Sequence, residues 1–222
     1  MTDFSAGPRD TGGPGYPRRG TPFTRALAHR VLGLIGWRVQ GGLPACPRFI
    51  LIVAPHTSNW DFVIGVLAMF AIGLRASWLG KHTIFRFPVA PLLRWLGGEP
   101  IDRSAAQGTV ETAIEHFRAR PQWVLALSPE GTRKPVTRWK TGFHRIAVGA
   151  GVPIVPVSFD YRTHIVGIGA PVQPGPDESA SVARLGALFQ KEMARHPAQY
   201  VEQGADPRPE APVGGQRARG LR

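Results

Sequence analysis

Two short, uninterrupted apolar runs constrain this chain most: FILIV at 49–53 and WVLAL at 123–127, each followed by a turn. A strand with one wet face alternates apolar and polar side chains, whereas a strand covered on both faces has no need to. Runs of this length therefore read as buried strands of an α/β sheet. Pro55 closes the first run. Ser58 is placed to cap a helix reaching about residue 73, with Asp61 in the box position three residues on. Further strands are predicted at 77–79, 154–159 and 165–168. Further helices are predicted at 91–96, ending at Gly97-Gly98, at 106–120 and 143–150, and at 181–194. The 106–120 helix aligns Val110, Ile114 and Phe117 on one face and stops at Pro121. Strands alternating with helices predict an α/β fold: a single domain with a largely parallel or mixed sheet flanked by helices.

Composition matters at the ends. Of 27 Gly and 22 Pro, nine fall in residues 1–22 and seven in 204–222, with no apolar periodicity in either stretch. Both are expected to be disordered tails, leaving one domain over 23–203. A lone cysteine, Cys46, excludes an intramolecular disulfide framework and a Cys-rich zinc site. The first twenty residues hold no apolar core of a signal peptide. The longest apolar stretch, 62–74, stops at Arg75, short of the ~18 residues a spanning helix requires.

The formal net charge is +12, and 23 of the 27 basic residues are Arg. Such a field draws polyanions: nucleic acid, anionic membrane or phosphorylated small molecules. Thr21-Pro22 is a helix start, with Thr as cap and Pro at the first helical position. Phe23, Leu27, Val31 and Leu34 then share one helical face. Arg18, Arg19, Arg25, His29 and Arg38 lie off it, and Trp37 follows. Two readings stand: a basic amphipathic helix lying on a membrane surface, or a helix packing its stripe on the core.

Three segments carry chemistry. PHTSNWDF at 55–62 follows a buried strand and opens a helix, where α/β folds place reactive groups. His56 sits at the strand end and Asp61 in the first helical turn. There the carboxylate can accept from one imidazole nitrogen, leaving the other to take a proton. No serine has a G-x-S-x-G context, so the base would act on a substrate hydroxyl. The alternative is that Asp61 only caps the helix and His56 is a loop residue. SPEGTRK at 128–134 also follows a buried strand. Its glycine, hydroxyl and two cations can cradle a phosphate, or form an ordinary polar turn. It lacks the P-loop spacing. GGEPIDR at 97–103 ends in Arg103, either a ligand in the same cleft or a surface residue.

Taken together, these segments resemble the glycerolipid acyltransferase superfamily, of the 1-acylglycerol-3-phosphate acyltransferase (lysophospholipid acyltransferase) type. His56 and Asp61 match the H-x-x-x-x-D block. Residues 97–103 match G-x-x-F-I-x-R, with Pro100 where Phe is usual. Residues 128–133 match F-P-E-G-T-R, with Ser128 replacing Phe. VPIVPV at 152–157 matches a V-P-[IV]-[IV]-P-V strand. Four blocks in order cover about 50–160, roughly half the chain.

The resemblance implies roles. His56 is the general base for the acceptor hydroxyl and Asp61 supports it. Arg103, Glu130 and Gly131 hold the acceptor's phosphate or glycerol end, with Thr132 and Arg133 beside them. Pro153 shapes the wall near the acyl donor. By charge alone, Lys81, Lys134 and Lys140 meet donor phosphates. The donor is acyl-CoA or acyl carrier protein. The acceptor is a lyso-glycerolipid, lysophosphatidic acid first, with a lyso-aminolipid as the alternative. Attack on the thioester is direct, with no acyl-enzyme, metal or other cofactor. The stretch 62–74 is a core helix or the floor of an acyl tunnel. The enzyme would work peripherally on the cytoplasmic face of an anionic membrane. His29, His82, His116, His144, His164 and His196 receive no role. Three rivals stand beside this reading: a basic nucleic-acid-binding module, which rests on charge without any recognised motif, a hydrolase using the same dyad on water, and an inactive membrane-bound scaffold.

Overall fold

The apolar runs are strands because helices cover both of their faces. In the computed structural model, which describes residues 15–101 and 106–203, Phe49 and Leu51 turn to one side of the sheet. There they meet Ala28 and Leu32 of α1 (Pro22–Leu34) and Ile64 and Ala68 of α2 (Asn59–Ala71). Ile50, Ile52 and Ala54 of the same strand, β2 (Arg48–Ala54), turn to the other side. They meet Phe117 of α4 (Ala106–Ala119), Phe143 and Ile146 of α5 (Gly142–Ala150) and Leu185 of α6 (Glu178–Gly186). Strand pleating sends successive side chains to opposite faces, and here both faces are core.

The remaining strands are β1 (Arg38–Gly41), β3 (Ser77–Lys81), β4 (Gly98–Ile101), β5 (Trp123–Leu127), β6 (Ile154–Asp160) and β7 (Ile165–Ile168). A short helix, α3 (Ala90–Trp95), joins β3 to β4. The sheet order is β1-β7-β6-β2-β5-β3-β4. Five neighbours, β6 through β4, are parallel, while β7 pairs antiparallel with β6 and parallel with β1. The carboxyl ends of β2, β3, β4, β5 and β6 thus share one edge, with β2 and β5 adjacent at its centre. Open α/β sheets bind ligands at such an edge.

Most elements fall where the sequence predicts, with four differences. The helix expected at 181–194 is α6, which starts earlier because Asp177 caps it through Ala180 N at 3.0 Å. It stops at Gly186, where a Cβ would lie 2.6 Å from the Gln203 side chain. Phe189 and Met193 are buried all the same, so an irregular strap over 187–203 meets the apolar spacing that reads as more helix. Strand β1 has no counterpart in the reading. It is short, and it pairs only with the far-off β7. Trp37 is not at the surface: it is buried edge-on against Tyr161 at 4.9 Å. Finally, the disordered tail expected over 1–22 is docked on the fold from residue 15. Arg19 N donates to Gly73 O at 2.9 Å and Arg75 N to Pro17 O at 2.8 Å. The Arg19 guanidinium lies over the rings of Phe70 and Trp95. Residues 1–14 and 204–222 lie outside the described residues.

Phe117 is fully buried and meets Trp123 edge-on at 4.5 Å. Truncating a large aromatic in such a site leaves a cavity as well as losing transfer energy. Phe117→Ala is expected to cost about 3–5 kcal/mol in urea unfolding, with an unchanged dyad in whatever fraction stays folded.

Candidate active site

Three residues separate the end of β2 from the cap of α2, and the local sequence decides how they sit. Ser58 caps α2 through Trp60 N at 3.2 Å, and its own N–H donates to Asp61 Oδ2 at 2.8 Å. This capping box draws Asp61 inward, where it is 1 % exposed. The same Oδ2 stands 3.2 Å from His56 Nδ1. The two atoms are in contact without the alignment of a full hydrogen bond, a looseness common in sites without substrate. Capping the helix and supporting the imidazole, alternatives in the sequence, are thus two jobs of one carboxylate. His56 is 21 % exposed. Among the described residues no side chain bonds its Nε2, which is left for a substrate proton.

Glu130 is expected at the acceptor, but it turns inward. It is buried, and its Oε1 accepts from His56 N at 2.8 Å. It holds the backbone of the loop after β2. Burial, with the nearby Asp61 charge, raises its pKa to about 7, against the lowering effect of the His56 N–H. Gly131 lies at φ 66°, the left-handed region, and the Lys140 side chain packs on it: a Cβ there would stand 3.0 Å from Lys140 Cδ. Only glycine meets both conditions cheaply. Thr132 Oγ1 accepts from Lys134 N at 3.2 Å. Arg133 and Lys134 are exposed on this turn.

The remaining expected residues divide. Lys81 ends β3 at the same edge as His56, and Lys134 and Lys140 lie on the loop after β5. Arg103 lies outside the described residues, just past the end of β4. Pro153 does not join the site. The register pairs Ile154 with Ile50, and Pro153 O accepts from Ile50 N at 3.0 Å. It therefore sits at the amino end of the parallel strands, roughly 20 Å from His56 at about 3.3 Å per residue. A V-P pattern reveals a strand start, but not which edge of the sheet that start occupies.

Sequence reasoning misses a third group at the site. Tyr161, just past β6, donates its hydroxyl to Asp61 Oδ1 at 2.6 Å. The strap then crosses the catalytic loops. His196 N donates to Thr57 Oγ1 at 3.2 Å. Gln199, in the amide orientation that satisfies its neighbours, donates to the carbonyls of Arg133 and Thr57 at 3.0 and 3.2 Å. Arg195 lies over the rings of Trp60 and Tyr161. No local pattern could reveal these contacts, because each joins residues far apart in the chain.

Fold and site together define an α/β protein of a definite class, with a His56–Asp61 pair at the carboxyl edge of its parallel strands. The chain belongs to the Acyltransferase family, whose model matches residues 43–160, more than half of it. It is 32 % identical over 114 residues to the 1-acyl-sn-glycerol-3-phosphate acyltransferase of Escherichia coli, covering 48 % of this chain and 45 % of that one. It is 30 % identical over 138 residues to the protein of the same name from Salmonella typhimurium, covering 58 % and 55 %. The chain thus spans about half the length of the curated relatives it matches. Its fold matches the crystal structure of the 1-acyl-sn-glycerophosphate (LPA) acyltransferase from Thermotoga maritima. There the TM-score is 0.50 and the identity 21 %, over 70 % of this chain and 69 % of that one.

The raised Glu130 pKa has a consequence for stability. The folded value of about 7 exceeds the ordinary 4.5. Protonated Glu130 therefore favours the fold fully below pH 4.5, and the contribution is lost as pH rises through 7. Relative to Glu130→Gln, which keeps the acceptor for His56 N, the wild type should lose stability between pH 4.5 and 7.5. The difference is up to about 3 kcal/mol, read from denaturant unfolding of both proteins across that range.

Proposed function

We propose that the protein is an acyltransferase that moves a fatty acyl group from an acyl thioester to the hydroxyl of a lyso-glycerolipid, 1-acylglycerol-3-phosphate first among them. The observation that carries this reading is the His56–Asp61 pair with its open Nε2 at the carboxyl edge of the sheet. The family match and the names of the relatives support the substrate class.

In this mechanism His56 Nε2 takes the acceptor's hydroxyl proton as the oxygen attacks the thioester carbonyl. Asp61 stabilises the imidazolium that forms. The tetrahedral intermediate collapses with cleavage of the C–S bond, and the imidazolium returns its proton to the leaving thiolate. Glu130 holds the catalytic loop through His56 N. Arg103, next to the end of β4, is the proposed holder of the acceptor phosphate, with Gly131, Thr132 and Arg133 at the edge of the same site. Lys81, Lys134 and Lys140 are proposed to meet the phosphates of acyl-CoA or acyl carrier protein.

Lipid substrates call for a bilayer. Among the described residues no helix is long and apolar enough to cross a membrane. The stripe on α1 does not pack on the core: Ala28 and Leu32 do. Phe23 is 75 % exposed, Leu34 87 %, and Leu27 and Ile35 about half. A second exposed apolar run holds Phe87, Val89, Leu92 and Trp95, and Trp95 meets the Phe70 ring of α2 at 5.7 Å. Arg86 precedes that run and Arg94 lies within it in sequence, as Arg18 and Arg19 precede α1. These faces favour peripheral docking on an anionic surface, where each basic residue adds ~1 kcal/mol. In this reading the enzyme works at the cytoplasmic face.

Thiol release and lipid product, followed with acyl-CoA and a panel of lyso-acceptors, test the reaction. His56→Ala should lower turnover ~10²–10⁴-fold with an unchanged thermal melt. Thiol release that ignores the acceptor would identify a hydrolase instead. Docking is tested by changing Leu27 and Leu34 together to Glu. Both are exposed, so the melt should hold, while co-sedimentation with anionic vesicles should fall and the wild-type signal should weaken with salt. Sedimentation indifferent to lipid charge would overturn docking.

A further inference from the structure

Asp61 has a partner that the acyl-transfer mechanism does not use. One oxygen, Oδ2, serves both Ser58 N and His56 Nδ1. The other, Oδ1, accepts from the Tyr161 hydroxyl at 2.6 Å, one hundred residues along the chain. Asp61 is 1 % exposed, so bulk water cannot replace a lost donor. A buried carboxylate oxygen without a donor bears its full desolvation penalty.

Tyr161 is itself held on several sides. Its ring meets Trp37 edge-on at 4.9 Å. Arg195 lies over it at 6.0 Å. Its N–H donates to Met193 O at 2.9 Å. Burial first, then the Asp61 contact and charge, push the phenol pKa up, and Arg195 only partly opposes them. The hydroxyl therefore keeps its proton and remains a donor at working pH. The charged and titratable groups around this pair are His56, Glu130 and Arg195.

We propose that Tyr161 is a positioning residue of the dyad: its hydroxyl pins Asp61 Oδ1 and so keeps Oδ2 aimed at His56 Nδ1. A carboxylate tied at one oxygen alone can rotate about its last bond and exchange its two oxygens. Tied at both, it presents one fixed acceptor to the imidazole throughout turnover. The strap takes part indirectly, because Met193 and Arg195 fix where Tyr161 sits. This inference rests on the acyl-transfer reading.

Wild type, Tyr161→Phe, Trp37→Phe and His56→Ala are compared for thiol release from acyl-CoA with 1-acylglycerol-3-phosphate, across pH and per folded molecule. Tyr161→Phe should lower kcat about tenfold, near 1.4 kcal/mol, with little change in either KM. Losing the donor to Asp61 Oδ1 disturbs the support of the imidazole, so the acidic limb of the pH profile should move. Trp37→Phe loosens the same packing but keeps the hydroxyl, so its limb should stay in place. Wild-type turnover and an unmoved limb in Tyr161→Phe, beside an inactive His56→Ala, overturn the inference alone. So does an equal displacement in Trp37→Phe, or a Tyr161→Phe chain that does not fold, since either makes the role structural. A wild type that releases no thiol overturns the acyl-transfer reading and this inference with it.

Discussion

The structure turns on one buried carboxylate. Asp61 accepts from Ser58 N and from the Tyr161 hydroxyl while it faces His56 Nδ1. These three partners come from the loop after β2 and from the turn after β6. The contact with Ser58 is a helix cap, worth about 1 kcal/mol in a typical protein. Because the cap also points the carboxylate at His56, the start of α2 and the geometry of the dyad cannot vary independently. A helix that began one residue later would lose its cap and displace the carboxylate together.

A second carboxylate lies behind the first. Glu130 joins the loop after β5 to the loop after β2 through His56 N, so the two central strand ends are locked to each other. Burial first, with the nearby Asp61 charge adding to it, raises the Glu130 pKa to about 7 against the lowering effect of the His56 N–H. Burial makes it a structural link rather than a contact for an anionic ligand, since a carboxylate would repel a phosphate. The cations stand elsewhere on the rim, on Lys81, Arg133, Lys134 and Lys140, all exposed. Both acids are thus buried, whereas these bases are exposed.

The outer face of α1 obeys the same economy of position. Its inner side packs Ala28 and Leu32 against α2. Phe23, Leu27 and Leu34 stay outside. A stripe at helical spacing ordinarily marks the face toward the core. Here the face packed on α2 is instead the one that carries Ala28 and Leu32, one position round the helix from Leu27 and Val31. Exposed apolar side chains on this helix and before and along α3 mark a surface meant to be covered.

Much of the fold is legible in the sequence. The runs at 49–53 and 123–127 announce strands covered on both faces, and Ser58, Asp61, Pro121 and Gly151 announce helix ends, because these are local effects of chain geometry and capping. The spacing of His56 and Asp61 across one strand end was sufficient to suggest the dyad. The sequence could not order the strands, and strand order decides the rest. It puts β5 beside β2, and so Glu130 under His56. It puts Pro153 at the far edge of the sheet and folds Tyr161 onto Asp61. It also leaves Phe23 and Leu34 outside. Capping and periodicity act within a few residues and are written in the chain. A hydrogen bond between residues 61 and 161 exists only once the sheet has closed, so tertiary structure alone decided it.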